Sequence, residues 1–453
     1  MLPESFLNSL QGLPGFNRES FMHVHELGEQ VTSLRLNPAK PINVSAHRFL
    51  NRTENIPWCA NGKYLAERPF FVTDPLWHAG AYYVQEASSM FIQYILEQIM
   101  PNSKGRIALD LCAAPGGKST LLASYFKEGL VVANETIKTR NPILVENITK
   151  WGSDRVVVTQ NDPSHFKSLP HFFDLMVVDA PCSGSGLFRK DPNAINEWSE
   201  DSVKHCSTRQ ARILDDSLDA LKEGGYLIYS TCSYSFEEDE QMMDYIASMP
   251  GMKSVELDPP SVWNIVSCES PLHKAKGLRF YPDQIKGEGF FIAVFQKNNS
   301  NIGGYYASDF NWNLMNKQEA AVLSSFMELN KEYLFINHHN TLIAVAVEFE
   351  MHIKALLKNM YVKKMGLAIG EIKGKDLIPA HALAMSDWAN QPYGNIEVDE
   401  ETALQYLRRA DLVLEGEKGW QAINYQTVRL GWVKVLPNRS NNYYPTEWRI
   451  LKY

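Results

Sequence analysis

Between about residues 105 and 297, apolar runs alternate with segments of helical periodicity. The runs Ile107–Leu111, Leu130–Ala133, Arg155–Thr159, Leu175–Val178, Tyr226–Tyr229 and Phe290–Phe295 have strand character. Among the first four, Lys118–Phe126 and Lys138–Lys150 repeat apolar residues at helical spacing. A longer helix is predicted over Asp201–Leu221, with Gly224-Gly225 as its C-terminal stop. Strands alternating with helices predict a mostly parallel sheet covered on both faces. The last strand, after Lys286-Gly287-Glu288-Gly289, reads as an addition at its edge.

Outside this stretch the pattern is less regular. Val31–Asn37 predicts a strand with Arg35 and Asn37 near its end, and Gln85–Ile99 a helix. Beyond residue 300 the alternation fades. Gln318–Glu332 predicts a helix, and the lysine-rich Lys354–Lys375, with Met360, Tyr361 and Met365 interspersed, a solvated helix face. Gly419–Tyr453 is short-stranded and aromatic, carrying Trp420, Tyr425, Trp432, Tyr443, Tyr444 and Trp448. A chain of 453 residues is too long for one core. Divisions are expected at 1–100, 101–297, 298–390 and 391–453.

Composition narrows the class. With 45% hydrophobic and 21% charged residues the chain has the make-up of an ordinary soluble globular protein. No apolar run approaches the roughly 18–20 residues of a membrane span. The amino terminus lacks the basic-then-apolar order of a secretory signal, so the expected compartment is the cytoplasm. Six cysteines without a Cys-x-x-Cys pair predict free thiols and no metal site. His23/His25 and His338/His339 read as surface or loop residues. A net charge of −8 argues against indiscriminate nucleic-acid binding, while leaving room for a local basic groove.

Two cysteines stand apart. Cys182 lies in Asp179-Ala180-Pro181-Cys182-Ser183-Gly184-Ser185-Gly186, and Cys232 in Ser230-Thr231-Cys232-Ser233. Each follows a predicted strand, which delivers it to the carboxyl edge where open α/β sheets bind ligands. Cys59, Cys112, Cys206 and Cys268 read instead as small buried hydrophobes. Between the first strand and first helix, the loop Leu109–Thr120 offers backbone amides at a helix N-terminus, suited to a small anion such as a carboxylate. The dinucleotide and phosphate-loop glycine patterns are both missing, which argues against a pyrophosphate. Glu135 at the second strand end suits ribose hydroxyls, Asp162 after the third an adenine amino group, and Asp179 at the fourth an ammonium. Any one of these acids is as readily a helix cap. Carboxylate, ammonium, ribose and adenine together describe S-adenosyl-L-methionine.

The stretches Asp110–Lys118, Asp179–Gly184, Ser230–Tyr234 and Gly287–Phe291 resemble the RNA (cytosine-5) methyltransferases of the Sun family, in particular the bacterial small-subunit ribosomal RNA methyltransferase F branch. Ser33–Asn37 and Ala79–Glu86 resemble its N-terminal portion, so the likeness covers about residues 1–297. Leu430–Lys434 and Asn442–Arg449 resemble the PUA-type RNA-binding module that ends this branch. The resemblance implies an α/β fold with a Rossmann-like class I methyltransferase sheet. It also implies an N-terminal α+β RNA-recognition portion and a C-terminal α+β, PUA-like region. Carried over residue by residue, it assigns Cys112, Ala113, Ala114, Pro115, Gly116, Gly117 and Lys118 of the glycine loop, with Glu135, Asp162 and Asp179, to the cofactor. Cys232 matches the nucleophile and Cys182 the cysteine that assists product release. The chain departs at Asp283, where relatives often carry histidine.

Two thiols suit this chemistry. Carbon-5 of cytosine is too electron-poor to attack a methyl sulfonium until a thiolate adds to carbon-6, which divides one hard step into two. A second cysteine then serves as acid or base, and Asp179 is placed to stabilise ring nitrogen N3. Lys118 or Lys190 can supply the positive charge that lowers a thiol pKa. Phe188-Arg189-Lys190 reads either as an RNA contact or as a solvated basic turn. The target base must leave its stack, so looped or opened RNA is the expected partner. The expectation is cofactor-dependent carbon-5 methylation of a cytosine in 16S ribosomal RNA by a monomer with no membrane partner. The alternatives are a transfer-RNA cytosine-5 methyltransferase and a non-catalytic RNA-binding assembly factor.

Overall fold

Strands β1 (Ile107–Asp110), β2 (Leu130–Asn134), β3 (Val156–Thr159), β4 (Phe173–Asp179) and β5 (Leu221–Thr231) run parallel in the order β5-β4-β1-β2-β3. Every residue of β1, β2 and β3 is buried, because helices cover both faces, and the strands therefore read as continuous apolar runs. Helices α1 (Gly117–Tyr125), α2 (Asn141–Trp151) and α3 (Glu200–Ser217) supply the connections. The structure, a computed structural model, describes residues 2–298, 310–388 and 393–451. The boundaries expected near 300 and 390, and the last two residues of the aromatic tail, lie outside the described residues.

Three expectations are corrected first. Gly224-Gly225 does not end α3, which gives way at Ser217 to a tight turn over Leu218–Ala220. The glycines lie inside β5, where the register against β4 shifts and Gly224 takes φ +74°. A side chain on Gly225 would meet Leu221 at 2.9 Å. Paired glycines mark bulges as well as helix ends. The strand Phe290–Lys297 is no edge either, for it lies antiparallel between β5 and Lys276–Phe280, which in turn pairs with Val266–Glu269. The third correction concerns Lys354–Lys375. Its helix (Glu350–Asn359) stops early, and Val362–Lys364 becomes an antiparallel edge strand on β3 while Leu367–Lys373 joins another sheet. Met360 and Met365 are buried, so only the lysines gave the segment its solvated look.

The N-terminal residues open with two helices, Glu4–Ser9 and Arg18–Leu27, followed by a four-stranded antiparallel sheet containing Thr32–Leu36. The helix expected from Gln85 is a tight turn at Ser88–Phe91 followed by Ile92–Ile99. From the sheet, buried Arg35 reaches α1, donating to Thr120 Oγ1 (2.6 Å) and the Gly117 carbonyl (3.3 Å) with its guanidinium 4.5 Å above Trp151. The helices pack Phe6 and Phe21 against Phe188, Trp198, Tyr234 and Tyr281. The C-terminal residues form two further four-stranded sheets, and the helix expected over 318–332 spans only Lys317–Ser324.

Candidate active site at the carboxyl edge of the sheet

The glycine loop turns from β1 into α1. Gly116 takes φ +120°, a conformation L side chains rarely adopt, and a Cβ there would come 3.3 Å from Leu144. Glu135, buried at the end of β2, faces this loop: its Oε1 accepts the Ile137 N–H (2.7 Å) and its Oε2 the Ala114 N–H (3.3 Å). Asp162 caps the turn Pro163–Ser168, accepting from Ser164 N–H (3.1 Å) and Oγ (2.7 Å), and these bonds hold its carboxyl below the usual range. Its second oxygen lies 3.8 Å from Arg212. Asp110, passed over as a binding residue in the sequence, ends β1 beneath the loop. Burial pushes its carboxyl up to about 7; Oδ2 accepts from Ser119 (2.6 Å), and Oδ1 is buried with no hydrogen-bond partner among the described residues.

The thiols meet beside this loop. Cys182 Sγ and Cys232 Sγ are 3.0 Å apart, although fifty residues separate them. Backbone bonds lock their loops together: Ala180 N–H donates to the Ser230 carbonyl and Gly186 N–H to the Cys232 carbonyl, each at 2.8 Å. A side chain on Gly186 would lie 2.5 Å from the Gly289 carbonyl, so this approach requires glycine. The hydrogen bond to Cys232, burial and the charge of Glu238 together push the Cys182 thiol well above its ordinary range. Asp179 accepts from Ser230 Oγ (2.9 Å) and pairs with Lys118 Nζ (2.7 Å). Burial pulls the Lys118 ammonium down, but the Asp179 carboxylate more than offsets this and holds it above its ordinary range. Lys118 is also close enough to Cys232 for the two to interact electrostatically. Lys190 is exposed beyond the Cys182 loop, so of the two candidate lysines the fold brings in Lys118.

Phe188-Arg189-Lys190 is neither an RNA contact nor a solvated turn in its first two residues. Phe188 is buried against Phe6, with ring centroids 5.0 Å apart. Arg189 is buried on Glu288 (3.0 Å) and the Gly287 carbonyl (2.6 Å). Both serve to seat the Cys182 loop. Asp283, the departure from the family pattern, accepts from Ser20 Oγ at 2.5 Å and so ties the second N-terminal helix to the turn after Phe280. Of the other thiols, Cys59 and Cys268 are buried as expected, whereas Cys112 and Cys206 are only half-buried. Burial raises the thiols of both Cys112 and Cys206, and Arg209 on α3 is near enough to draw each back down.

A parallel β5-β4-β1-β2-β3 core carrying a glycine loop, a buried acid after β2 and an unpartnered acid oxygen beneath the loop defines an S-adenosylmethionine-dependent methyltransferase. Loop amides suit the cofactor's carboxylate and Glu135 its ribose; for the ammonium, Asp110 Oδ1 lies beneath the loop, whereas Asp179, expected in that role from the sequence, is paired with Lys118, so the residues present fit the group. Residues 97–296 match the family model for 16S rRNA methyltransferase RsmB/F, residues 2–87 the N-terminal domain of RsmF, and residues 393–450 the RsmF PUA domain. Ribosomal RNA small subunit methyltransferase F of Aliivibrio fischeri is 31% identical over 408 residues, covering 87% of this chain and 85% of its own. The chain belongs to the family of 16S rRNA methyltransferases RsmB/F, and it is an S-adenosylmethionine-dependent RNA methyltransferase.

Other relatives agree. The methyltransferase F of Shewanella amazonensis is 27% identical over 470 residues, covering 98% of each chain. A methyltransferase homolog protein from Pyrococcus horikoshii is 28% identical with a TM-score of 0.51, covering 65% of this chain and all (100%) of its own. NSun6 from Pyrococcus horikoshii, solved with the S-adenosylmethionine analogue SFG, shares the fold at a TM-score of 0.54 and 19% identity, covering 66% of this chain and 99% of its own.

Proposed function

We propose that this enzyme methylates carbon-5 of a cytosine in 16S ribosomal RNA, with Cys232 as nucleophile and Cys182 as the group that releases the product. The observation that carries this reading is the 3.0 Å pairing of two thiols at adjacent strand ends, beside the cofactor loop. Lys118 lies beside Cys232, and Cys182, held protonated, donates to it. The Cys232 sulfur bonds to carbon-6 of the flipped base, and the ring electrons move towards carbon-5 and N3 while the Lys118 ammonium, held in place by Asp179, steadies the developing negative charge. S-adenosylmethionine, bound at the glycine loop, supplies the methyl group. Cys182 first gives its proton to solvent water and, as the thiolate, takes the proton from carbon-5; the electrons of that carbon–hydrogen bond re-form the carbon-5–carbon-6 double bond as the carbon-6–sulfur bond breaks, which returns Cys232 as a thiolate and restores the ring.

Helix α3 favours RNA as the partner at this edge. His205, Arg209 and Arg212 are exposed at i, i+4 and i+7, forming one basic row from Cys206 to Asp162. We assign this row to the RNA backbone and the segment around 393–450 to a second RNA contact. The division into 1–100, 101–297, 298–390 and 391–453, action as a monomer and a cytoplasmic location complete the proposal. No helix among the described residues is long and apolar enough to cross a membrane. Incubating the protein with labelled cofactor and unmodified small subunits or naked 16S RNA, then mapping 5-methylcytosine, tests it. Label in 16S RNA supports the reading; label only in transfer RNA, or none, overturns it.

A further inference from the structure

Two thiols 3.0 Å apart at equivalent strand ends are nearly alike in backbone setting, so something must decide which one attacks. Glu238 is placed to do so. Glu238, fully buried in the turn after β5, accepts the Ser183 N–H (2.8 Å), Ser183 Oγ (2.5 Å), Ser233 Oγ (2.6 Å) and Gln210 Nε2 (3.2 Å). Ser183 and Ser233 are the residues directly after Cys182 and Cys232. Four donors directed at one carboxyl form a pattern that its ionised state fills. It has no basic partner among the described residues. Two of the four bonds come from Ser183, so the carboxylate is seated against the Cys182 loop, while the cation, Lys118, acts on Cys232.

We infer that Glu238 is the positioning residue that orders the thiol pair, its carboxylate holding Cys182 in the protonated form so that Cys232 is the attacking thiolate. This rests on the function proposed above. A buried negative charge beside a thiol disfavours its ionisation, and on the other side of the pair Cys232 faces the Lys118 ammonium and not a carboxylate. A charge is thus set at each end of the pair. The other titratable groups facing it are Tyr229 from β5, Asp239 beside Glu238, Cys206 and Arg209 from α3, and Asp179, which Lys118 already pairs. Tyr229 Oη lies within reach of Gln210 Oε1 (3.0 Å) and the Glu238 backbone carbonyl (2.8 Å), which fixes one partner of the carboxylate and the main chain of Glu238 itself. Burial holds the Glu238 carboxyl above its ordinary value, and the four donors reduce that rise without cancelling it.

The test is limiting alkylation of the full-length protein with iodoacetamide from pH 6 to 10, with the modified cysteine mapped by mass spectrometry. In the wild type Cys232 should react first throughout the range. Glu238→Gln keeps the shape and removes the charge; it should speed Cys182 alkylation about tenfold and lower its pH midpoint, the change in thiolate fraction that one pKa unit gives. Glu238→Asp, which keeps the charge, should preserve the wild-type order. A folded Glu238→Gln protein with wild-type Cys182 reactivity overturns the inference. So does a wild type in which Cys182 reacts as fast as Cys232, a result independent of whether any variant folds. Alkylation needs no RNA, so failure of methyl transfer would count against the proposed function and leave this readout intact.

Discussion

Behind the glycine loop stands Arg35, and behind the thiol loops stands Glu238; both are buried, and neither has an oppositely charged partner among the described residues. Arg35 comes from the N-terminal sheet, and burial lowers its guanidinium to about 10. It touches only neutral acceptors: Gln85 Oε1 (3.0 Å), Thr120 Oγ1 (2.6 Å) and the Gly117 carbonyl (3.3 Å). Glu238 touches only neutral donors. One loop must receive an anion and the other must retain a proton. A fixed charge of the appropriate sign is placed behind each, where low dielectric gives it reach. The two supports also differ in origin, since Arg35 lies 85 residues from Thr120 whereas Glu238 lies 5 from Ser233.

The comparison breaks most completely on the thiol side. Cys232→Ala should lower methyl transfer by on the order of 10⁶-fold, the scale of losing a covalent nucleophile, as read with labelled cofactor. Cys182→Ala should leave attack intact and slow release on the order of 10²–10⁴-fold, so that a protein–RNA adduct accumulates and is seen as a shifted band on a denaturing gel. Adduct in the first variant and none in the second would reverse the roles. On the loop side, Arg35→Ala should cost about 3 kcal/mol through the cavity and lost bonds, measured by urea unfolding, with the thiol alkylation order unchanged. Glu135→Gln should weaken cofactor binding by about 1.5–3 kcal/mol in calorimetry while the fold is retained. The smallest effect is expected outside both regions. Arg209→Ala should reduce RNA affinity a few-fold and the slope of log K against log salt by about 1, with cofactor affinity unaltered.

How far the site was legible follows from the range of the forces involved. The glycine loop, Glu135 and the two cysteines all sit at strand ends, and strand ends are visible because fully buried strands are short apolar runs. Glu238 stands five residues after Ser233, yet nothing local distinguishes it from the acids beside it. Its meaning comes from Ser183, fifty-five residues away. Phe188 and Arg189 misled for the converse reason: a basic, aromatic tripeptide looks exposed until Phe6 and Glu288 arrive to cover it. Lys354–Lys375 misled because its lysines advertise a wet helix while Met360 and Met365 are buried and Val362–Lys364 pairs with β3.

By itself, the sequence determined the alternation of strands and helices, the cofactor edge and the identity of the two thiols, because hydrophobic period and glycine placement act over a few residues. Tertiary structure alone decided that the thiols would touch, which cation and which carboxylate would flank them, and how the N-terminal helices would seat both loops. Charge and hydrogen bonding in a buried site depend on distance in space, and a chain that returns to one sheet edge five times brings together groups its own order keeps apart.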